Sequence, residues 1–105
     1  MGQVAWTEAA LKHVRAIVEY VSENSINAAE KLEQRLMDAP DTLAHTQRLG
    51  RRIPEFDRDD FRELLTVYPY RILYLIDGDV CKIIAVIHGK RDLHKAMEEE
   101  GVEEP

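Results

Sequence analysis

Cysteine is almost absent from this 105-residue chain: Cys81 is the single one. One cysteine closes no internal disulfide, and a reducing, cytoplasmic setting is the expectation. Long apolar runs are also missing. Ile83 to Ile87 is as long as any, far short of the roughly 20 residues that cross a bilayer as a helix, so no membrane partner is expected. The N-terminal residues lack the basic-then-apolar pattern of a secretion signal. The five glycines are scattered and form no phosphate-cradling loop. His13, His45, His88 and His94 stand at no recognised ligand spacing, so no metal and no other cofactor is expected. Ser22 and Ser25 fall at a helix break, where serines cap backbone amides rather than attack substrates.

An excess of positive charge is lacking as well. The net charge is -6, but Glu98, Glu99, Glu100, Glu103 and Glu104 place five acids in the last eight residues. Without them 14 basic residues face 15 acidic ones, so the body is nearly neutral and carries no electrostatic signature of a nucleic-acid binder. The chain therefore divides into a body, residues 1–97, and an acidic tail, residues 98–105, expected to be solvated and disordered. An alternative is that the tail folds back over Arg62 and Arg71. What is present, 45% apolar and 32% charged residues, is ordinary for one compact domain.

The periodicity changes once along the chain. Gln3 to Trp6 reads as an edge strand. Thr7 is a helix cap with Glu8 favourably placed at the helix start, and Leu11, Val14, Val18 and Val21 recur at helical spacing, predicting a helix over about 8–23. Asn27 with Glu30 resembles a capping box for a second helix carrying Ala29, Leu32 and Leu36, stopped by Pro40. The short break makes the two helices an antiparallel hairpin. Residues 41–60 read as a charged loop with a short strand near Arg52 to Phe56. Phe61 to Val67, Tyr70 to Asp77 and Val80 to His88 then read as strands, with Asp77-Gly78 as a type I′ hairpin turn. Leu93 to Glu100 is a final short helix. The fold class is α+β: an N-terminal helical hairpin packed on a twisted antiparallel sheet.

With Asp77-Gly78 as the turn, Arg71 opposes Ile84, Leu73 opposes Lys82, and Leu75 opposes Val80. Alternation then places Arg71, Leu73, Lys82, Ile84, Val86 and His88 on one face, joined by Arg62, Leu64 and Thr66. The other face, Tyr70, Ile72, Tyr74, Cys81, Ile83, Ala85 and Ile87, packs on the hairpin. The basic face reads either as a docking surface for an acidic or anionic partner or as an ordinary solvated face. The apolar stripe of Leu64, Leu73, Ile84 and Val86 within it favours docking, because something must cover it. His88-Gly89-Lys90-Arg91-Asp92 is either an anion or acid–base site or a polar turn, the turn being the simpler reading.

Several stretches resemble one family. Trp6-Thr7-Glu8-Ala9-Ala10 and Ile17-Val18-Glu19-Tyr20-Val21 are similar to the opening of toxins of the RelE/ParE superfamily. Pro69-Tyr70-Arg71-Ile72-Leu73-Tyr74 and Val86-Ile87-His88-Gly89-Lys90-Arg91-Asp92 resemble later parts of the same toxins, in the same order. The resemblance, closer to ParE, implies the toxin half of a type II toxin–antitoxin system and the fold just described. It also implies one of two activities: poisoning of DNA gyrase, or cleavage of messenger RNA on the ribosome. Arg62, Arg71 and Arg91 stand where the RNA-cleaving members keep basic catalytic residues. However, Leu64 occupies the place of a further cation, and Met97 that of a tyrosine in the last helix. Missing a cation and an acid–base group weakens the case for cleavage.

The expectation is a ParE-like gyrase inhibitor that acts by protein binding through Arg62, Arg71, Lys82, His88, Lys90 and Arg91. A cognate antitoxin would cover Leu64, Leu73, Ile84 and Val86, and operator DNA would be met only through that antitoxin. One alternative is a ribosome-dependent endoribonuclease using Arg62, Arg71, His88 and Arg91. Another is a degenerate toxin that only binds its antitoxin.

Overall fold

The computed structural model describes residues 2–105. Strand β1 (Gln3–Trp6) leads into helix α1 (Glu8–Ser22), whose start is set by Thr7. The Thr7 hydroxyl oxygen accepts the Ala10 N–H at 3.2 Å, and the hydroxyl donates to the Ile83 carbonyl at 2.8 Å. A single residue thus caps the helix and ties it to the sheet. Helix α2 (Ile26–Asp38) is capped by Ser25, which accepts the Ala28 N–H, rather than by Asn27. Ser25 wins because it already sits in extended conformation one residue before helical geometry begins. Pro40 lies in the first turn of a 3-10 segment (Ala39–Ala44), where its missing N–H has no partner to lose.

The remaining elements are β2 (Arg51–Arg52), β3 (Phe61–Leu64), β4 (Tyr70–Asp77), β5 (Val80–His88) and α3 (Leu93–Glu99). They form a five-stranded sheet in the order β1-β5-β4-β3-β2, with β1 parallel to β5 and the other pairs antiparallel. The α+β architecture of helical hairpin, sheet and short C-terminal helix is the one read from the sequence, with the parallel β1–β5 pair as the exception to the expected antiparallel pairing.

The register differs from that reading in three places, and two of them change which face side chains occupy. Asp77 pairs with Val80, so the tight turn is Gly78-Asp79, and of its residues only Gly78 has positive φ, at 60°. A type I′ turn needs two such residues, so the expected turn type is replaced. Farther along, Tyr74 pairs with Ile83 but Leu73 with Ala85, leaving Ile84 as a bulge. One extra residue reverses alternation beyond it. Val86 and His88 therefore join Ile72 and Tyr70 on the hairpin side, while Ala85 and Ile87 move to the opposite face.

The β3–β4 connection spans residues 65–69 instead of closing tightly at Tyr68-Pro69. As a result Glu63 pairs with Leu73 and Leu64 with Ile72. Arg62 and Leu64 consequently lie on the hairpin face, away from Arg71.

Both faces are covered. Ala10, Val14 and Leu36 of the hairpin pack with Leu64, Ile72, Tyr74, Ile83 and Val86. On the other side Leu93, Ala96 and Met97 of α3 pack with Ile53, Phe61, Leu73, Ala85 and Ile87. Leu64, Leu73 and Val86 are each no more than 3% exposed, and Ile84 is half-buried against the second core. The exposed apolar stripe expected on one face is thus absent: the bulge splits it between faces, and α3 covers the rest.

Candidate functional site

Four charged side chains meet beside β3 and β4. Strand alternation turns Glu63 and Arg71 to the same face, and the Arg71 Nε–H donates to Glu63. The two terminal nitrogens of Arg71 donate to both oxygens of Glu55 at 2.9 and 2.8 Å. Arg51, on neighbouring β2, donates from Nε to the second oxygen of Glu63 at 2.7 Å. The Glu63 side chain is completely buried and that of Arg71 is 10% exposed, whereas Glu55 is 32% exposed. Hydrogen bonding by Glu55 and Glu63 holds Arg71 even more firmly in its charged form, and the same contact lowers the pKa of Glu55. Beside this cluster opens a cleft of about 390 Å³ walled by Pro54, Leu65, Tyr68, Pro69 and Tyr70.

Arg62 and Lys82 are similarly engaged. Arg62 donates to the Asp59 carboxylate at 2.7 Å, to the Asp59 carbonyl and to the Gly50 carbonyl. Asp59 also takes Arg48, and these two guanidinium groups lower its pKa. Lys82 pairs with Asp77 at 2.8 Å near the hairpin turn. Lys90 is exposed, and its backbone N–H donates to His88 Nδ1. The residues named from the sequence thus fall at four places: Arg62 on the hairpin face, Arg71 on the opposite face, Lys82 near the hairpin turn, and His88, Lys90 and Arg91 together at the end of β5.

At the end of β5 a cleft of about 350 Å³ lies between α1 and the β4–β5 ends, lined by His13, Ile17, Tyr20, Tyr70, His88 and Arg91. The Arg91 guanidinium is bound by Glu99 at 2.9 Å and Glu100 at 3.0 Å, contacts that raise its pKa. His13 Nδ1 accepts the Val86 N–H at 3.1 Å, so its neutral ring carries the proton on Nε2, which lies 3.7 Å from Glu100. Burial lowers the His13 pKa; Glu100 opposes that shift and Arg91 adds to it.

Instead of a disordered tail beginning at Glu98, α3 runs on to Glu99 and the chain after it folds back, but not over Arg62 and Arg71. The Gly101 N–H donates to the Glu98 carbonyl and the Val102 N–H to the Met97 carbonyl, with Gly101 at φ 69°. This is the Schellman pattern that ends a helix and reverses the chain. Val102 then packs on the second core, Glu104 meets His94, and Arg58 bonds the Pro105 oxygen.

Sequence reasoning overlooked Glu55 and Glu63, and weighed His13 only as a metal ligand. Alternation along β3 did carry a signal for Glu63, since it shares the inward parity of Phe61. His13 sits three residues after Ala10 and four before Ile17, on the inward stripe of α1. Glu55 lies in an irregular loop and gave no such signal. Among the described residues every buried side-chain nitrogen or oxygen has a hydrogen-bond partner. No group of three or more His, Cys, Asp or Glu among them is arranged to hold a metal, and no helix is long and apolar enough to cross a membrane.

Residues 4–93 match the sequence profile of the ParE toxin of the parDE type II toxin–antitoxin system. The chain belongs to the ParE toxin family. Toxin RelE2 of Caulobacter vibrioides is 35% identical to this ParE-family toxin over 91 residues, covering 87% of this chain and 99% of that one. Among solved structures, the chromosomal ParDE toxin–antitoxin system of P. aeruginosa is similar with a TM-score of 0.70 at 22% identity, over 84% of this chain and 96% of the other. The isolated E. coli RelE toxin is similar with a TM-score of 0.52 at 20% identity, over 94% and 98%. At those identities the two structures speak for the fold alone. Family membership makes this chain a type II toxin of the RelE/ParE superfamily, which implies a cognate antitoxin as partner.

Proposed function

We propose that this ParE-family toxin acts by binding protein, inhibiting DNA gyrase, and does not cleave RNA. One observation carries the reading: the arginines that resemble catalytic cations are already neutralised inside the chain. Arg62 is held by Asp59, Arg71 by Glu55 and Glu63, and Arg91 by Glu99 and Glu100. A guanidinium bound by carboxylates offers little to a phosphate whose charge grows in a transition state. The position of the acid–base tyrosine is Met97, 1% exposed within the second core. The nearly neutral body is also poorly suited to compete for a dense phosphate surface. Lys90 and His88, exposed and half-buried at the end of β5, are then target contacts rather than catalysts. The cognate antitoxin neutralises the toxin by covering that surface, and it alone meets operator DNA.

A second reading, ribosome-dependent messenger RNA cleavage, is favoured by the convergence of His88, Arg91 and Tyr70 on one cleft. It requires Glu99 and Glu100 to leave Arg91 on binding. Inducible expression separates these readings. The proposal expects growth arrest, rescue by the co-expressed antitoxin, and no new messenger RNA 5′ ends. New 5′ ends within coding regions would establish the nuclease instead. Harmless expression with antitoxin binding retained would identify a toxin reduced to a binding module.

A further inference from the structure

The cluster around Arg71 has an asymmetry that its stability does not require. Glu63 is a permanent counter-ion, wholly buried and held from two sides by Arg71 and Arg51. Glu55 is different. It stands on the irregular segment between β2 and β3, is about one-third exposed, and its carboxylate meets the guanidinium edge that faces the cleft. If Glu55 swings out, Arg71 keeps Glu63 and turns two parallel N–H donors toward solvent. The walls that would flank an incoming group include two exposed large side chains: Tyr68 is 84% exposed and Leu65 44%. A fork of donors at the base and apolar walls at the rim complement a carboxylate side chain with an apolar neighbour.

We infer that Glu55 occupies, within the chain, the place of a carboxylate supplied by a protein partner, and that the Arg71 cleft docks an acidic segment flanked by apolar residues. The inference rests on the reading of this toxin as a protein binder and specifies where one partner chemistry is read. A polyanion is disfavoured, because Glu63 stays behind beneath Arg71 and the chain carries a net charge of -6. Glu55 makes the site selective: a partner must exchange one bidentate pair for another, so only a carboxylate that brings apolar contact with Leu65 and Tyr68 gains by entering.

The probe is a capped peptide, acetyl-Leu-Glu-Tyr-Leu-amide, and its glutamine counterpart, titrated into the full-length protein while the Arg71 Nε–H and Tyr68 ring resonances are followed. Glu55→Gln is expected to bind the glutamate peptide about fivefold tighter than the parent, the upper end for removing a partly exposed competing ion pair. The glutamine peptide is expected to leave both resonances unmoved, and Tyr68→Ala, at a side chain 84% exposed, to abolish binding while the unfolding midpoint stays that of the parent. Equal affinity of parent and Glu55→Gln overturns the inference, as does equal binding of the two peptides. Inorganic phosphate that displaces the peptide at equal concentration also overturns it, revealing a simple anion site. A toxin that inhibits gyrase yet fails these titrations sinks the docking inference and leaves the proposed function standing.

Discussion

Replacing Glu63 by leucine removes the buried carboxylate on which two arginines converge, and its cost follows from the geometry. Breaking a buried ion pair by deleting one partner costs about 3–5 kcal/mol, because the other charge is stranded. Here Arg71 keeps Glu55, and Arg51, 55% exposed, turns to water. The loss therefore falls at the lower end, about 3 kcal/mol. For a chain of this length that lowers Tm by roughly 15 °C. Arg71→Met strands Glu63 instead. With a completely buried side chain and only Arg51 left, that carboxylate costs as much or more. The double substitution Glu63→Leu/Arg71→Met removes both charges, and the freed Glu55 is exposed enough to hydrate. Its expected cost is about 1 kcal/mol, well below either single change. Urea unfolding of the four proteins forms a double-mutant cycle. A double variant as unstable as the sum of the two singles would refute the reasoning, since the pair would then contribute by shape and not by mutual charge compensation.

Other consequences can be measured in the same way. Because burial holds the His13 pKa below the ordinary 6.5, the unfolded chain binds the proton first. Stability is thus complete above about pH 6.5 and falls as pH drops below it, despite the opposing pull of Glu100; His13→Gln should show a smaller loss between pH 7.5 and 5.5. A Cβ at Gly50 would lie 2.5 Å from the Glu63 carbonyl and 2.7 Å from the Tyr74 ring, so Gly50→Ala should destabilise by about 2 kcal/mol in denaturant unfolding. Tyr74→Phe strips the hydroxyl that accepts the Gly50 N–H and donates to the Gln47 carbonyl, with an expected cost of about 1–3 kcal/mol. Gly101→Val opposes the positive φ that reverses the chain after α3, and hydrogen exchange should show faster exchange at the Val102 amide while the β4 amides stay protected.

Elements were legible in the sequence wherever a period persisted. The ranges of β1, β4 and β5 follow from alternation and turn residues, and α1 follows from its apolar stripe. What alternation does not reveal is a bulge: Ile84 is as good a strand residue as its neighbours, so its omission from pairing left no mark. That one residue moved Val86 and His88 to the hairpin face and dissolved the stripe expected to bind the antitoxin. The loop between β3 and β4 had the same effect on Arg62 and Leu64. Cations were visible as residue types, but their carboxylate partners were not. Glu55 and Asp59 come from an irregular segment whose path is set by tertiary contacts such as the burial of Ile53, and no local pattern encodes those.

The most direct test of the account is a supercoiling assay of purified gyrase with antitoxin-free toxin, titrated to large excess. The account predicts dose-dependent inhibition or trapped cleavage complexes, reversed by the antitoxin and weakened in Lys90→Ala, a substitution that leaves the internal ion pairs intact. Gyrase that supercoils normally at every toxin concentration, while the same preparation cleaves messenger RNA on ribosomes, would contradict it.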